Sequence, residues 1–175
     1  MKSNNIRDSP PPLRDYQQAD LAKMQNYEGR AALMVLATGL GKTRIYTEYI
    51  RWDVLNNNHN CLILSHREEL VYQPLTYLRD LPCGVELAEK YAHGEPVISA
   101  SVQSLVGRLD KYNPYEIDTI IVDEAHHAAA PTYRRVLEYF SSAQIFGFTA
   151  TAHRGDGVGL SCVFDDILTE RDTLW

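Results

Sequence analysis

The apolar run Ala31 to Leu36 passes directly into Ala37-Thr38-Gly39-Leu40-Gly41-Lys42-Thr43. Apolar residues followed at once by glycines, a lysine and a hydroxyl read as a buried strand entering a phosphate-binding loop and then a helix. Glycine permits the tight turn that aims backbone N–H groups at an anion, and the following helix adds its N-terminal dipole. In such a loop Thr38, Gly39, Leu40 and Gly41 form the cradle. Lys42 reaches the β- and γ-phosphates, and the Thr43 hydroxyl ligates Mg²⁺. The full spacing would place glycine at position 36, where this chain has Leu36. The reading therefore rests on Gly39, Gly41, Lys42 and Thr43.

A second motif strengthens it. Thr119-Ile120-Ile121-Val122 is a short β-branched run, the pattern of a strand buried on both faces, and it ends in Asp123-Glu124-Ala125-His126. An aspartate at the carboxyl end of a central strand, beside a phosphate loop, is where Mg²⁺ bound to ATP needs an acid. Glu124 is placed to orient or deprotonate the attacking water. Lys42, Thr43, Asp123 and Glu124 together make a site for hydrolysing a nucleoside triphosphate, with ATP and Mg as its cofactors.

Along the chain, strand and helix patterns alternate. Residues 1–12 are polar, end in three prolines, and read as a flexible arm. A leading helix is expected over 13–26, then strand 31–36 and helix 42–56. Strand 61–65, helix 67–79, a break at Pro82-Cys83-Gly84, and strands 85–88 and 96–100 follow. Helix 102–109, strand 118–122, helix 131–141 and strand 144–148 complete the pattern. Alternation of this kind predicts an α/β, three-layer domain with a mainly parallel central sheet. Ligands then gather at the carboxyl ends of the strands. The loops arriving there carry Ser65-His66-Arg67, Ser101 to Ser104, Asp123-Glu124 and Thr149-Ala150-Thr151. Taken singly, Ser101 and Thr151 are also good helix N-caps.

With 175 residues the chain can bury a core of its own, and 45% hydrophobic against 23% charged residues is an ordinary globular composition. A net charge of −6 argues against nucleic-acid binding over the whole surface but leaves room for a local basic groove. Cys61, Cys83 and Cys162 are far apart and odd in number, which fits buried thiols in a reducing compartment. No stretch is long and apolar enough to span a membrane and no signal core precedes the domain, so the expected location is cytoplasmic.

With these motifs in order, the chain resembles the first RecA-like domain of superfamily 2 DExH helicases and translocases, near the branch shared by type III restriction subunits and RadD-like repair helicases. The resemblance covers residues 13–164 and leaves 165–175 as the start of a connection to a second RecA-like domain. Leu13-Arg14-Asp15-Tyr16-Gln17 matches the adenine-reading segment, and Ala37 to Thr43 matches motif I. Ser65 to Leu70 matches motif Ia, Ser101 to Leu105 Ib, Asp123 to His126 II, and Gly147 to Ala152 III. The resemblance implies that Gln17 reads the adenine edge and that Arg67, Ser101 and Gln103 contact a nucleic-acid backbone, which positions a strand without reading it. It also implies that His126, Thr149 and Thr151 couple the γ-phosphate to that contact. His127, outside the motif, is expected on a helix surface.

The resemblance further implies a DNA partner and a second RecA-like domain, in cis or in trans, that supplies arginine fingers. Such a finger is worth ~10³ or more in turnover, so this chain alone is expected to hydrolyse ATP slowly and not to unwind duplexes. A nucleotide-responsive binding module, or a P-loop ATPase unrelated to nucleic acids and completed by a partner chain, are the alternatives.

Overall fold

The computed structural model describes residues 10–151 and 159–171. Its sheet contains β1 (Ala31–Leu36), β2 (Cys61–Ser65), β3 (Cys83–Glu86), β4 (Val97–Ser101), β5 (Thr119–Asp123), β6 (Gln144–Thr149) and β7 (Asp166–Arg171). The spatial order is β3-β4-β2-β5-β6-β1-β7, and every adjacent pair is parallel. All residues of β1, β2, β4 and β5 are buried, as a sheet covered on both faces requires. Alternate residues serve the two layers. Leu62, Leu64, Ile120 and Val122 join the core with Leu105 of α4 (Val102–Val106) and Val136 of α5 (Pro131–Tyr139). Ile63, Ile121 and Met34 join the other, with Met24 of α1 (Asp15–Gln25) and Ile45 and Ile50 of α2 (Lys42–Asn57).

The parallel three-layer architecture is as expected; several boundaries are not. The helix expected over 67–79 is instead α3 (Glu68–Tyr72) followed by a 3-10 turn, Pro74–Tyr77. Pro74 lacks the N–H that would continue the helix. Helix 102–109 stops at Val106, ahead of Gly107. The break expected at Cys83-Gly84 is the start of β3, where the chain at Gly84 lies tight against the Ala92 and Glu95 side chains.

Within residues 165–175, read as the start of a connection to a second RecA-like domain, Asp166–Arg171 forms an edge strand beside β1. Its anchor is ionic. Asp20, fully buried, accepts from Thr169 Oγ1 at 2.8 Å and from Arg171 Nε at 3.1 Å. Most of the arm, residues 1–9, lies outside the described residues, while the Pro11 carbonyl accepts from Arg44 Nη2 at 2.9 Å. Among the described residues no helix is long and apolar enough to cross a membrane.

Candidate nucleotide site

Sheet order decides which loops meet. At the carboxyl edge Ser101 of β4 is in register with Ser65 of β2, Asp123 of β5 with Phe148 of β6, and Thr149 of β6 with Val35 of β1. The strand carrying Asp123 therefore stands between the strands that lead to Arg67 and to the phosphate loop.

In that loop Gly39 (φ +88°) and Gly41 (φ +77°) adopt left-handed backbone, which L side chains rarely tolerate. A Cβ at Gly41 would also lie 2.4 Å from Gln17 Nε2. Position 36 needs no glycine because Leu36 is still strand, buried and in register with Arg171. The start of α1 clamps the loop: Gln17 Nε2 and Tyr16 Oη both donate to the Leu40 carbonyl, at 3.1 and 2.9 Å. The amide oxygen of Gln17 accepts from Arg14 N–H at 2.9 Å, so both ends of the side chain have partners. Lys42 Nζ donates to the Leu36 carbonyl at 3.2 Å. Thr43 is half-buried in the first turn of α2, and Thr38 is exposed. A cleft of about 710 Å³, lined by Pro10, Pro12, Leu13, Arg44 and Tyr77 among others, opens beside α2 and the segment leading into α1.

Asp123 is 5% exposed. Its carboxylate accepts from Tyr46 Oη and from the Glu124 N–H, each at 2.9 Å. Burial nevertheless holds its pKa above the usual carboxylate range, with Tyr46, the Glu124 N–H and the Lys42 ammonium pulling the other way. Lys42 and Asp123 thus share one electrostatic environment. The chain then turns sharply. Glu124 has φ +54°, a left-handed conformation costing about 1–3 kcal/mol for a non-glycine residue and concentrated at functional sites. The turn leads into the 3-10 segment Ala125–His127. His126 Nδ1 lies 3.4 Å from Glu124 Oε2 and 3.4 Å from Thr149 Oγ1. Thr149 is fully buried and bonds back to Thr151: its hydroxyl donates to the Thr151 carbonyl at 3.2 Å and accepts the Thr151 N–H at 3.3 Å.

The residues expected at a nucleic-acid contact occupy neighbouring loops. Arg67 is exposed at the start of α3, and Gln103 is exposed in α4. Ser101 is only 4% exposed and its hydroxyl donates to Gln103 Oε1 at 2.8 Å, so its polar group is occupied locally. Thr151 is exposed, and Ala152 lies outside the described residues.

Sequence reading missed Tyr46. The signal was available, since Tyr46 sits one helical turn beyond Lys42 and so faces the same way. It also misplaced His127, which is partly buried in the 3-10 turn with its ring packed against His66 and His126, not on a helix surface. Of the three thiols expected to be buried, Cys61 is; Cys83 is partly covered and Cys162 is exposed.

A parallel sheet with a glycine-turned phosphate loop, a buried aspartate at the end of the central strand and a histidine bridging to the next strand defines the first RecA-like domain of superfamily 2 helicases and translocases. The chain belongs to the type III restriction enzyme res-subunit family, whose model matches residues 11–154. It is 40% identical to irc3 of Schizosaccharomyces pombe, named as a mitochondrial ATP-dependent helicase, over 91% of this chain and 29% of that protein. It is 38% identical to IRC3 of Saccharomyces cerevisiae, named as an ATP-dependent helicase, over 95% of this chain and 27% of that one. The chain thus spans less than a third of these relatives. In fold it is similar to the UvsW helicase of bacteriophage T4 (TM-score 0.75, 17% identity, 95% of this chain and 62% of that one). The Hef helicase domain of Pyrococcus furiosus is similar too (TM-score 0.75, 24% identity, 90% and 37%).

Proposed function

We propose that this chain is the ATP-binding motor domain of a DEAH-type DNA helicase or translocase. The observation that carries the reading is the Asp123 carboxylate: buried, short of compensating charge, and held by Tyr46 and a backbone N–H within reach of the Lys42 charge. A desolvated carboxylate beside a threonine hydroxyl is an oxygen donor set suited to Mg²⁺, which keeps several waters and binds through few protein groups. Thr43 and Asp123 would hold the metal, which when bound supplies charge to the phosphates. Lys42 binds the β- and γ-phosphates in place of the Leu36 carbonyl, and the loop N–H groups of Thr38 to Gly41 cradle them. Glu124, anchored by His126, orients the attacking water. Gln17 exchanges its bond to Leu40 for the adenine edge, with the base entering from the cleft beside α2.

Arg67 and Gln103, with Ser101 positioning Gln103, form the polynucleotide contact, and Thr149 and Thr151 pass the γ-phosphate state towards it. A second RecA-like domain, in cis or in trans, supplies an arginine across the cleft. The names of the two yeast relatives support the helicase reading. DNA is favoured over RNA by the res-subunit family. The thiol content fits a reducing compartment, the cytoplasm or, as one relative's name has it, a mitochondrion.

The test is ATP turnover with single-stranded DNA, duplex DNA, RNA or no polynucleotide, for the chain and for Lys42→Ala and Glu124→Gln. Slow turnover stimulated most by DNA and lost in both variants is expected. Equal rates in all three proteins remove the enzyme reading, and stimulation by RNA alone removes the DNA assignment.

A further inference from the structure

The loop after β2 and the turn after β5 are sheet neighbours, and three imidazoles fill the space between them. The His66 ring lies 3.9 Å from that of His127, centroid to centroid, and His127 lies 4.1 Å from His126. His126 in turn reaches Glu124 Oε2 and Thr149 Oγ1. A continuous column of side chains therefore runs from the residue preceding Arg67 to the acid that handles water. The rings are partly covered and in contact, so displacement of one presses on the next.

Two further facts set this column apart from solvated histidines. His66 Nδ1 is shut off from solvent without a hydrogen-bond partner, a state that costs about 1–3 kcal/mol. Chains retain such local conflicts where function demands the placement. In addition, burial and the adjacent Arg67 guanidinium lower the basicity of His66 below that of an ordinary imidazole, which favours a neutral ring and limits charge repulsion within the stack.

We propose that His66 and His127 are positioning residues that couple polynucleotide contact at the Arg67 loop to nucleotide binding at Glu124, along a line that meets the Thr149 route only at His126. The proposal rests on the ATP and polynucleotide reading above and deepens it. It assigns neither ring a contact with substrate. Backbone phosphate drawn to Arg67 moves the loop and presses His66 on His127; His127 resets His126, and His126 resets Glu124. The reverse path lets bound nucleotide alter the affinity of the loop.

The experiment measures the affinity of the chain for a labelled single-stranded oligothymidine, with and without Mg²⁺ and a non-hydrolysable ATP analogue. Affinity for the analogue is measured separately. In the unaltered chain the analogue changes oligonucleotide affinity by at least about fivefold, the lower end of ordinary coupling. In His66→Ala and His127→Ala that factor falls to about half or less, the remainder being carried by Thr149, while each ligand alone binds as before. His127→Phe, which restores a ring to the stack, recovers it, and His127→Asn replaces the alanine variant if that does not fold. Undiminished coupling in both variants overturns the proposal. So does an unaltered chain that binds both ligands without coupling, or a His127 variant that loses oligonucleotide affinity in the absence of analogue. Failure of the underlying reading has a different signature, an unaltered chain that does not bind the analogue or a Lys42→Ala variant that binds it equally well, and either result takes the proposal with it.

Discussion

The Tyr46 hydroxyl donates to Asp123 Oδ2 at 2.9 Å, tying the helix after the phosphate loop to the acid that ends β5. Residues 77 positions apart in the chain are thereby tied together. The bond does not fully offset the desolvation of the carboxylate, whose pKa stays above its ordinary range.

Asp123→Asn is therefore expected to stabilise the metal-free chain while abolishing turnover. The folded-state pKa is raised, so ionisation opposes folding: the penalty is absent where the carboxyl is protonated in both states and complete once pH exceeds the folded value. Asparagine keeps an acceptor for the Glu124 N–H and turns its NH₂ as a donor to the Tyr46 oxygen, without the charge. A melting temperature higher by about 2–4 °C at neutral pH, roughly 1 kcal/mol in a domain of this size, should shrink to nothing as pH falls below the ordinary carboxylate range. An advantage that persists in acid would show that burial of charge is not its cause.

Tyr46→Phe removes a donor from the same carboxylate and should cost about 1–3 kcal/mol of stability. Because Tyr46 lowers the Asp123 pKa, its loss raises that pKa further and protons compete better with Mg²⁺. The Mg²⁺ concentration needed for analogue binding should rise more in mildly acidic than in mildly alkaline buffer. A uniform change across pH would assign Tyr46 a packing role only.

Gly147 has a packing reason to be glycine. A Cβ there would lie 2.3 Å from Phe164 Cζ and 2.9 Å from Ala125 Cβ, on the turn that carries His126. Gly147→Ala should destabilise by about 1–3 kcal/mol, the usual cost of overpacking, and slow turnover through displacement of that turn. Chemical denaturation reads the first effect, and Phe164→Leu in the same chain should restore part of it. No rescue would mean that Ala125, not Phe164, takes the strain.

Thiol labelling should follow exposure. Cys162 is exposed, Cys61 is buried with its pKa pushed well above the usual thiol range by burial and Asp53, and the Cys83 pKa is pushed up to about 11. Brief alkylation near neutral pH, followed by mass spectrometry, should mark Cys162 first and Cys61 only on unfolding. Early marking of Cys61 would place its strand outside the core.

Legibility in the sequence tracked how local the cause was. The central strands announced themselves because a strand buried on both faces must be apolar throughout, as Ala31–Leu36 and Cys61–Ser65 are. The tight turn at Gly39 and Gly41 and the acidic pair that follows β5 were visible because glycine tolerates left-handed backbone and carboxylates interrupt an apolar strand. The edge strand Asp166–Arg171 was not visible, since its polar sequence is held by Asp20, 149 and 151 residues away. Helix ends at Pro74 and Gly107 had local signs that the periodic pattern overrode.

By itself, then, the order of residues determined a parallel α/β sheet, a glycine-turned loop after β1 and an acidic pair at the end of β5. Each of these depends on residue type and short-range spacing. Tertiary structure alone decided that Tyr46 would hold Asp123, that Glu124 would adopt a left-handed turn, and that His66, His126 and His127 would stack. Such contacts arise where sheet register brings distant loops together, and no local pattern encodes which side chains then meet.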